Sequence, residues 1–302
     1  MSKKPAISLV AVPGRRKATL EAAQEIERRG FSGIYCPSFA DGLGLCLALA
    51  MHTNEIRIGT SIANIYTRHV SDFAQTASWI HELSGCRFDF GVGVSHGPVH
   101  KALGVEVGKP LEDMRKFVEG LRATPRAGEQ PPIILATLRK RMIKLASETA
   151  EGIVWANGSR SHMEESLAEL TPEQRASDDF FIGNMIPTCV SDDKAAAAEV
   201  MRRTLVSYSL LPNYNNYWIE AGYEEEMATI RVAAKNGEHD KIASLMTDDW
   251  LADVTLFGTA AEVREGVEAW YAAGVKTPIL VPSSTEGGQM KALEELFAAF
   301  EE

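Results

Sequence analysis

Residues 56–100, IRIGTSIANIYTRHVSDFAQTASWIHELSGCRFDFGVGVSHGPVH, hold a complete strand–helix–strand unit. Residues 56–61 are a short β-rich apolar run. Val70–Leu83 repeats its apolar residues about every 3.6 positions, and 87–93 is again strand-like and ends in Gly-x-Gly. Parallel strands joined by a helix cross over right-handedly in nearly all cases, and ligands collect beyond the carboxyl ends of such strands. Those ends are 61–65 and 94–96, and the remaining chain reads as scaffold for the crevice they form.

Upstream, 7–11 is a buried strand that Pro13-Gly14 turns into a helix over 17–29, with Leu20, Ala23 and Ile26 on one face and Gly30 at its end. Strand 33–36 stops at Pro37, and 43–52 is a helix rich in Leu and Ala. Downstream come a helix over 111–122, the strand Ile133–Ala136, a helix over 139–149 and the strand Gly152–Ala156. Residues 178–190 read as the seventh strand, irregular at Pro187. Helix formers such as AAAAEVMRR follow, then the Tyr- and Asn-rich stretch LPNYNNYWIEAGYEEEM, then further helix to about 253. Thr259-Ala-Ala-Glu262 is a capping box, and 278–281 is the eighth strand. Strand and helix in turn, eight times, predict an α/β fold with a parallel sheet and helices outside it. The helical insertion at about 191–257, between strands seven and eight, is long enough to cover a site or make an oligomer contact.

A chain of 302 residues with 45% hydrophobic composition can bury a substantial core, so 1–302 is expected to be one domain. No apolar run is long enough to span a bilayer and no signal-peptide core follows the first residues, so a cytoplasmic location without membrane partners is expected. A net charge of -10 disfavours nucleic acid as a partner. Cys36, Cys46, Cys86 and Cys189 form no C-x-x-C pair and sit in apolar segments, which reads as reduced core thiols.

IGTSI followed by TRHV, then LSGCRFDFGVGVSHGP, resembles the luciferase-like, flavin- or deazaflavin-dependent oxidoreductases, a TIM-barrel superfamily. GKPLEDMRKFVEGLR, PPIILATLRKRMIKLASETAEGIVWAN and GTAAEVREGVEAWYAAGVKTPILVP continue the resemblance in register over nearly the whole chain. It selects a (β/α)8 TIM barrel over a doubly wound sheet. It also places a non-prolyl cis peptide at Ser61–Ile62, against the cofactor ring, with Ala63 and Asn64 following as cofactor residues.

The run Gly91-Val92-Gly93-Val94-Ser95-His96-Gly97-Pro98 is not a dinucleotide fingerprint. His96 stands where the third glycine belongs, and a Gly-Pro loop is expected before any helix. Gly93 and Val94 are read as close-approach backbone to the cofactor, and Ser95 and His96 as the catalytic, substrate-side candidates; some deazaflavin-dependent relatives carry an acidic residue at the His96 position. His96 and His100 could also suggest a metal pair, but Gly97 and Pro98 argue against a helix that would align them and no third ligand is placed.

Ala136-Thr137-Leu138-Arg139-Lys140-Arg141 lies where a strand gives way to a helix, whose free N–H groups and dipole favour an anion. Three cations there oppose the dipole unless an anion compensates them. The resemblance implies that this turn holds the cofactor's phosphate, through Thr137 and Lys140, and an anionic glutamyl tail would use the extra charge; a solvated basic face is the alternative. Arg68-His69 either shapes the cofactor pocket or makes a helix-start salt link with Asp72, and Asn157 follows strand six. Where sugar-phosphate and alcohol dehydrogenases of the superfamily place an Asp-His pair, this chain has Ser38-Phe39, which argues against alcohol oxidation by that route. Tyr208, Tyr214, Tyr217 and Trp218 either wall a pocket or fill core.

The expectation is a homodimeric oxidoreductase moving a hydride between coenzyme F420 and a small organic substrate, with an FMN-dependent monooxygenase as the alternative. A non-catalytic flavin-binding protein is the competing class. A flavin-free aldolase or isomerase should show a barrel-top Lys or a carboxylate–His–metal cluster, and neither is found at the expected strand ends.

Overall fold

Strand and helix alternate along most of the chain in the computed structural model, which describes residues 3–38 and 40–301. The order is β1 (Ala6–Ser8), α1 (Arg16–Arg28), β2 (Gly33–Cys36), α2 (Gly42–His52), β3 (Arg57–Asn64), α3 (Val70–Leu83), β4 (Phe88–Gly93), α4 (Gly97–Leu103), α5 (Pro110–Ala123), β5 (Ile133–Ala136), α6 (Lys140–Thr149) and β6 (Gly152–Ala156). Then follow α7 (Met163–Leu167), α8 (Pro172–Ala176), β7 (Phe181–Val190), α9 (Lys194–Ser209), α10 (Pro212–Glu220), α11 (Glu224–Lys235), α12 (Asp248–Val254), β8 (Leu256–Gly258), α13 (Ala260–Ala272), β9 (Thr277–Ser283) and α14 (Gln289–Ala299). Strands β1–β7 and β9 form a closed parallel barrel surrounded by helices, the expected (β/α)8 fold.

The chain divides into two units, Met1–Trp155 with Ala168–Gly183, and Ala156–Leu167 with Asn184–Glu302. In the first, β6-β5-β4-β3-β2-β1 run in order. Helix α3 starts on His69, whose Nδ1 accepts the Ser71 N–H at 3.3 Å, and buries Phe73, Ala74, Ala77 and Ile80 on one face. The Phe73 ring lies 5.9 Å from Phe90 of β4 and 5.4 Å from Phe117 of α5, so a single aromatic joins two helices to the sheet. Burying such a side chain contributes about 1.5–3 kcal/mol.

Nearer the beginnings of the strands, the Tyr35 hydroxyl donates to Asp89 at 2.9 Å, and Arg57 pairs with the same carboxylate. Burial, and then Asp89, push the Tyr35 hydroxyl's pKa upward. A Cβ on Gly59 would come within 2.8 Å of the Tyr35 ring, which is why glycine stands there. This network fills the interior at one end and leaves the carboxyl ends of the strands for chemistry.

In the second unit β9-β7-β8 are neighbours. Between β7 and β8 come α9–α12, whose aromatics form core: Tyr214, Tyr217, Trp218 and Trp250 are buried, and Trp218 meets Trp250 edge-on at 4.8 Å. Strand β7 runs through Pro187 to Val190, past the irregular end expected there.

Four details correct the sequence reading. A helix, α4, begins directly after His96, because Pro at the first turn of a helix forfeits an N–H that has no partner there anyway. Strand β8 pairs in parallel with β7 through Thr188–Leu256 and Val190–Gly258, and three residues were too few to show as a strand. The short helices α7 and α8 interrupt the path from β6 to β7. Cys86 is exposed, unlike the other three cysteines, and lies at the α3–β4 turn, where Gly85 and Cys86 both take left-handed backbone.

Candidate active site

The end of β3 departs from regular strand. The Ser61–Ile62 peptide is cis, as the resemblance implied, and the β3–β4 register shifts between Thr60 and Ala63. The Thr60 hydroxyl donates to the Gly91 carbonyl at 2.6 Å, and a Cβ at Gly91 would collide with the Thr60 carbonyl oxygen, so this close approach needs glycine. Ser61 and Asn64 are buried, Ile62 and Ala63 half-buried. The Asn64 side-chain oxygen accepts the Tyr66 N–H at 3.1 Å, while its Nδ2 is buried without a hydrogen-bond partner.

Three of the residues singled out in the sequence meet across adjacent strands. A Cβ at Gly93 would lie 2.8 Å from Ala136 Cβ and 3.0 Å from Ile62 Cδ1. Ile62 of β3, Gly93 of β4 and Ala136 of β5 therefore make one continuous apolar floor, in which glycine admits its neighbours.

Beyond Gly93 the chain turns through Val94 and Ser95, both half-buried, with Ser95 in left-handed backbone at φ 58°. His96 then precedes α4 in extended backbone, and its imidazole pKa is lowered by burial first and by His100 second. His100 Nε2 donates to the Val94 carbonyl at 2.5 Å, so that nitrogen is engaged by the backbone. Among the described residues no group of three or more His, Cys, Asp or Glu is arranged to hold a metal.

At β5, Thr137 is buried with its N–H on the Val154 carbonyl at 2.9 Å and its hydroxyl without a partner; Leu138 is half-buried. Arg139 caps α6 without a side-chain cap bond, Lys140 and Arg141 open the helix, and its first turn holds no acidic residue. A positive dipole end and three cations thus coincide. Arg68 makes the helix-start link, 3.5 Å to Asp72, and also reaches Asp41 at 3.3 Å. Of Ser38-Phe39, Phe39 lies outside the described residues.

Asn157 belongs to the second unit, in left-handed backbone at φ 56° just after β6. Its carbonyl accepts Trp218 Nε1 at 3.3 Å, the next N–H donates to Asn184 Oδ1 at 3.2 Å, and Ser159 N–H donates to the Tyr217 hydroxyl at 2.9 Å. Ser159 and Asn184 were not singled out in the sequence, nor were Tyr66 and Asp113, whose side chains bond at 2.6 Å. No local motif marks such pairs, since their partners are distant in the chain.

Residues 8–277 match the family described as luciferase-like monooxygenase. The 5,10-methylenetetrahydromethanopterin reductase of Methanolobus tindarius is 22% identical over 301 residues, covering 90% of this chain and 92% of that one. Among solved structures, the coenzyme F420 dependent tetrahydromethanopterin reductase from Methanopyrus kandleri aligns over 97% of each chain with a TM-score of 0.76 and 16% identity. An F420-dependent secondary alcohol dehydrogenase, solved with an F420-acetone adduct, aligns over 99% of this chain and 100% of that one with a TM-score of 0.72 and 16% identity. At these identities the structural likeness is one of fold.

Proposed function

This chain belongs to the luciferase-like monooxygenase family, and from that premise we propose that it is an oxidoreductase transferring a hydride between coenzyme F420 and a small organic substrate. The observation that carries the reading is the floor of Ile62, Gly93 and Ala136, flanked by two buried polar atoms without protein partners, Asn64 Nδ2 and Thr137 Oγ1. A flat heteroaromatic ring with polar edges matches such a surface. Ile62, Ala63 and the Gly93–Val94 backbone would support the ring, and Asn64 would donate to its edge. Thr137, Arg139 and Lys140 would hold the phosphate, with Leu138 completing the turn; Ser61 belongs to the same proposed set.

F420 when bound supplies a ring that gives or takes a hydride. The protein's part is orientation and dryness. His96, whose neutral form burial favours, would hydrogen-bond a substrate beside Ser95. The names of the relatives favour F420, and the cationic start of α6 suits a cofactor with anionic groups beyond its phosphate. The family's own description keeps monooxygenation, for which FMN would be the cofactor, as the second reading.

Anaerobic turnover decides between them. Reduced F420 mixed with the protein and a panel of reducible organic acceptors should be oxidised without dioxygen. Turnover only with reduced FMN and dioxygen would select the second reading, and binding without turnover would make the protein a flavin carrier. Homodimerisation and a cytoplasmic location are part of the same proposal, and sedimentation of the purified chain checks the former. Among the described residues no helix is long and apolar enough to cross a membrane.

A further inference from the structure

The segment between β4 and α5 is tied at both ends through one set of side chains. At its start, His100 Nε2 donates to the Val94 carbonyl at 2.5 Å. At its end, the Gly108 N–H donates to Asp113 Oδ2 at 2.8 Å. The same carboxylate oxygen accepts the Tyr66 hydroxyl at 2.6 Å, and the Tyr66 ring meets the His100 ring edge-on with centroids 5.2 Å apart. Between these ties α4 buries none of its side chains, and Val99, Leu103 and Val107 are 40%, 45% and 42% exposed. Left-handed backbone at Ser95 and Gly104 bounds the helix. With none of its side chains fully buried, such a helix depends on the bonds at its ends.

We propose that residues 95–107 form a strap at the carboxyl ends of β3 and β4, and that Tyr66, His100 and Asp113 are positioning residues that latch it and thereby fix the His96 imidazole. The role given to His96 rests on the proposed active site, whereas the latch does not. The Tyr66–Asp113 bond is the strong member, because one partner carries charge and both are half-buried. Burial, and then Asp113, raise the Tyr66 hydroxyl's pKa, so it remains a donor throughout the physiological range. The two links act in series: Asp113 holds Tyr66 and the far end of the strap, and Tyr66 packs against the histidine that holds the near end.

The test uses the full chain without cofactor. Tyr66→Phe keeps the ring and removes only the hydroxyl. It is expected to raise amide hydrogen exchange across 97–107 by about tenfold, the change that goes with losing one charge-assisted bond, while exchange across β4 and α5 stays within about twofold. Asp113→Asn should shift the same peptides in the same direction. His100→Gln, which retains an N–H donor for Val94 but loses the ring against Tyr66, should loosen the strap less than His100→Leu, which loses both. The titration of His96, followed by NMR, is expected below the ordinary histidine value in the wild type, where burial lowers it, and should move up toward that value in Tyr66→Phe as the ring gains solvent. Wild-type exchange across 97–107 in Tyr66→Phe overturns the latch. A loosened strap with an unmoved His96 titration overturns the positioning role. Failure of the F420 reading would appear separately, as absent cofactor binding in a wild type whose strap still behaves as described.

Discussion

Gly93 sets how closely three strands approach where the cofactor ring is proposed to lie. Gly93→Ala would drive a methyl group into Ala136 and Ile62. Overpacking of this kind costs about 1–3 kcal/mol, so urea unfolding should show a loss in that range and a titration should show weakened cofactor binding. Lys140 is exposed, so Lys140→Ala should leave unfolding nearly unchanged while weakening F420 affinity by about 1.5–3 kcal/mol; unchanged affinity would remove it from the phosphate site. His96→Ala should spare cofactor affinity and lower turnover, and lost affinity would place the side chain on the cofactor instead. His96 also gives the fold a pH dependence. Its folded pKa lies below the ordinary histidine value of 6.5, so the unfolded chain binds the proton more readily. The contribution is full above about 6.5 and is lost as pH falls toward the lower folded value, so His96→Gln should flatten the acid limb of a stability profile. The floor residues were legible because backbone demands leave glycine and a fixed strand-end pattern in the sequence. The Tyr66–Asp113 pair left no trace, since its members are separated by 47 positions and neither is unusual locally.

At the scale of elements, local chemistry was readable wherever it is closed within one turn. The capping box at α13 is present as expected: the Thr259 hydroxyl accepts the Glu262 N–H, and the Glu262 carboxylate accepts the Thr259 N–H. Thr259→Ala should cost about 0.5–2 kcal/mol in thermal or urea unfolding. Glu262 is held near a pKa of about 2, chiefly by Lys194 and then by Thr259. Its contribution is therefore complete above the ordinary value of 4.5 and fades as pH falls toward about 2. The helix α4 was misread because a glycine followed by proline marks a turn as readily as the first turn of a helix, and the pair alone does not decide between them. Strand β8 has three residues, and its identity depends on pairing with β7 rather than on any pattern of its own.

For the molecule as a whole, alternation of strand and helix was enough to predict a parallel sheet. Closure into a barrel was not visible in any single stretch, because the strands that close it are remote in sequence, and the order of several motifs had to supply it. Charge works at the same scale. A chain of net charge -10 nonetheless carries Arg139, Lys140 and Arg141 together at the start of α6, so anionic ligands have a local attractor there. Titration of the purified apoprotein with F420 and, separately, with FMN, followed by absorbance and fluorescence, tests the central claim most directly. Tight binding of F420 with weak binding of FMN is the predicted result. The reverse order would contradict it and favour flavin monooxygenation, and binding of neither would leave a barrel of this family without the proposed chemistry.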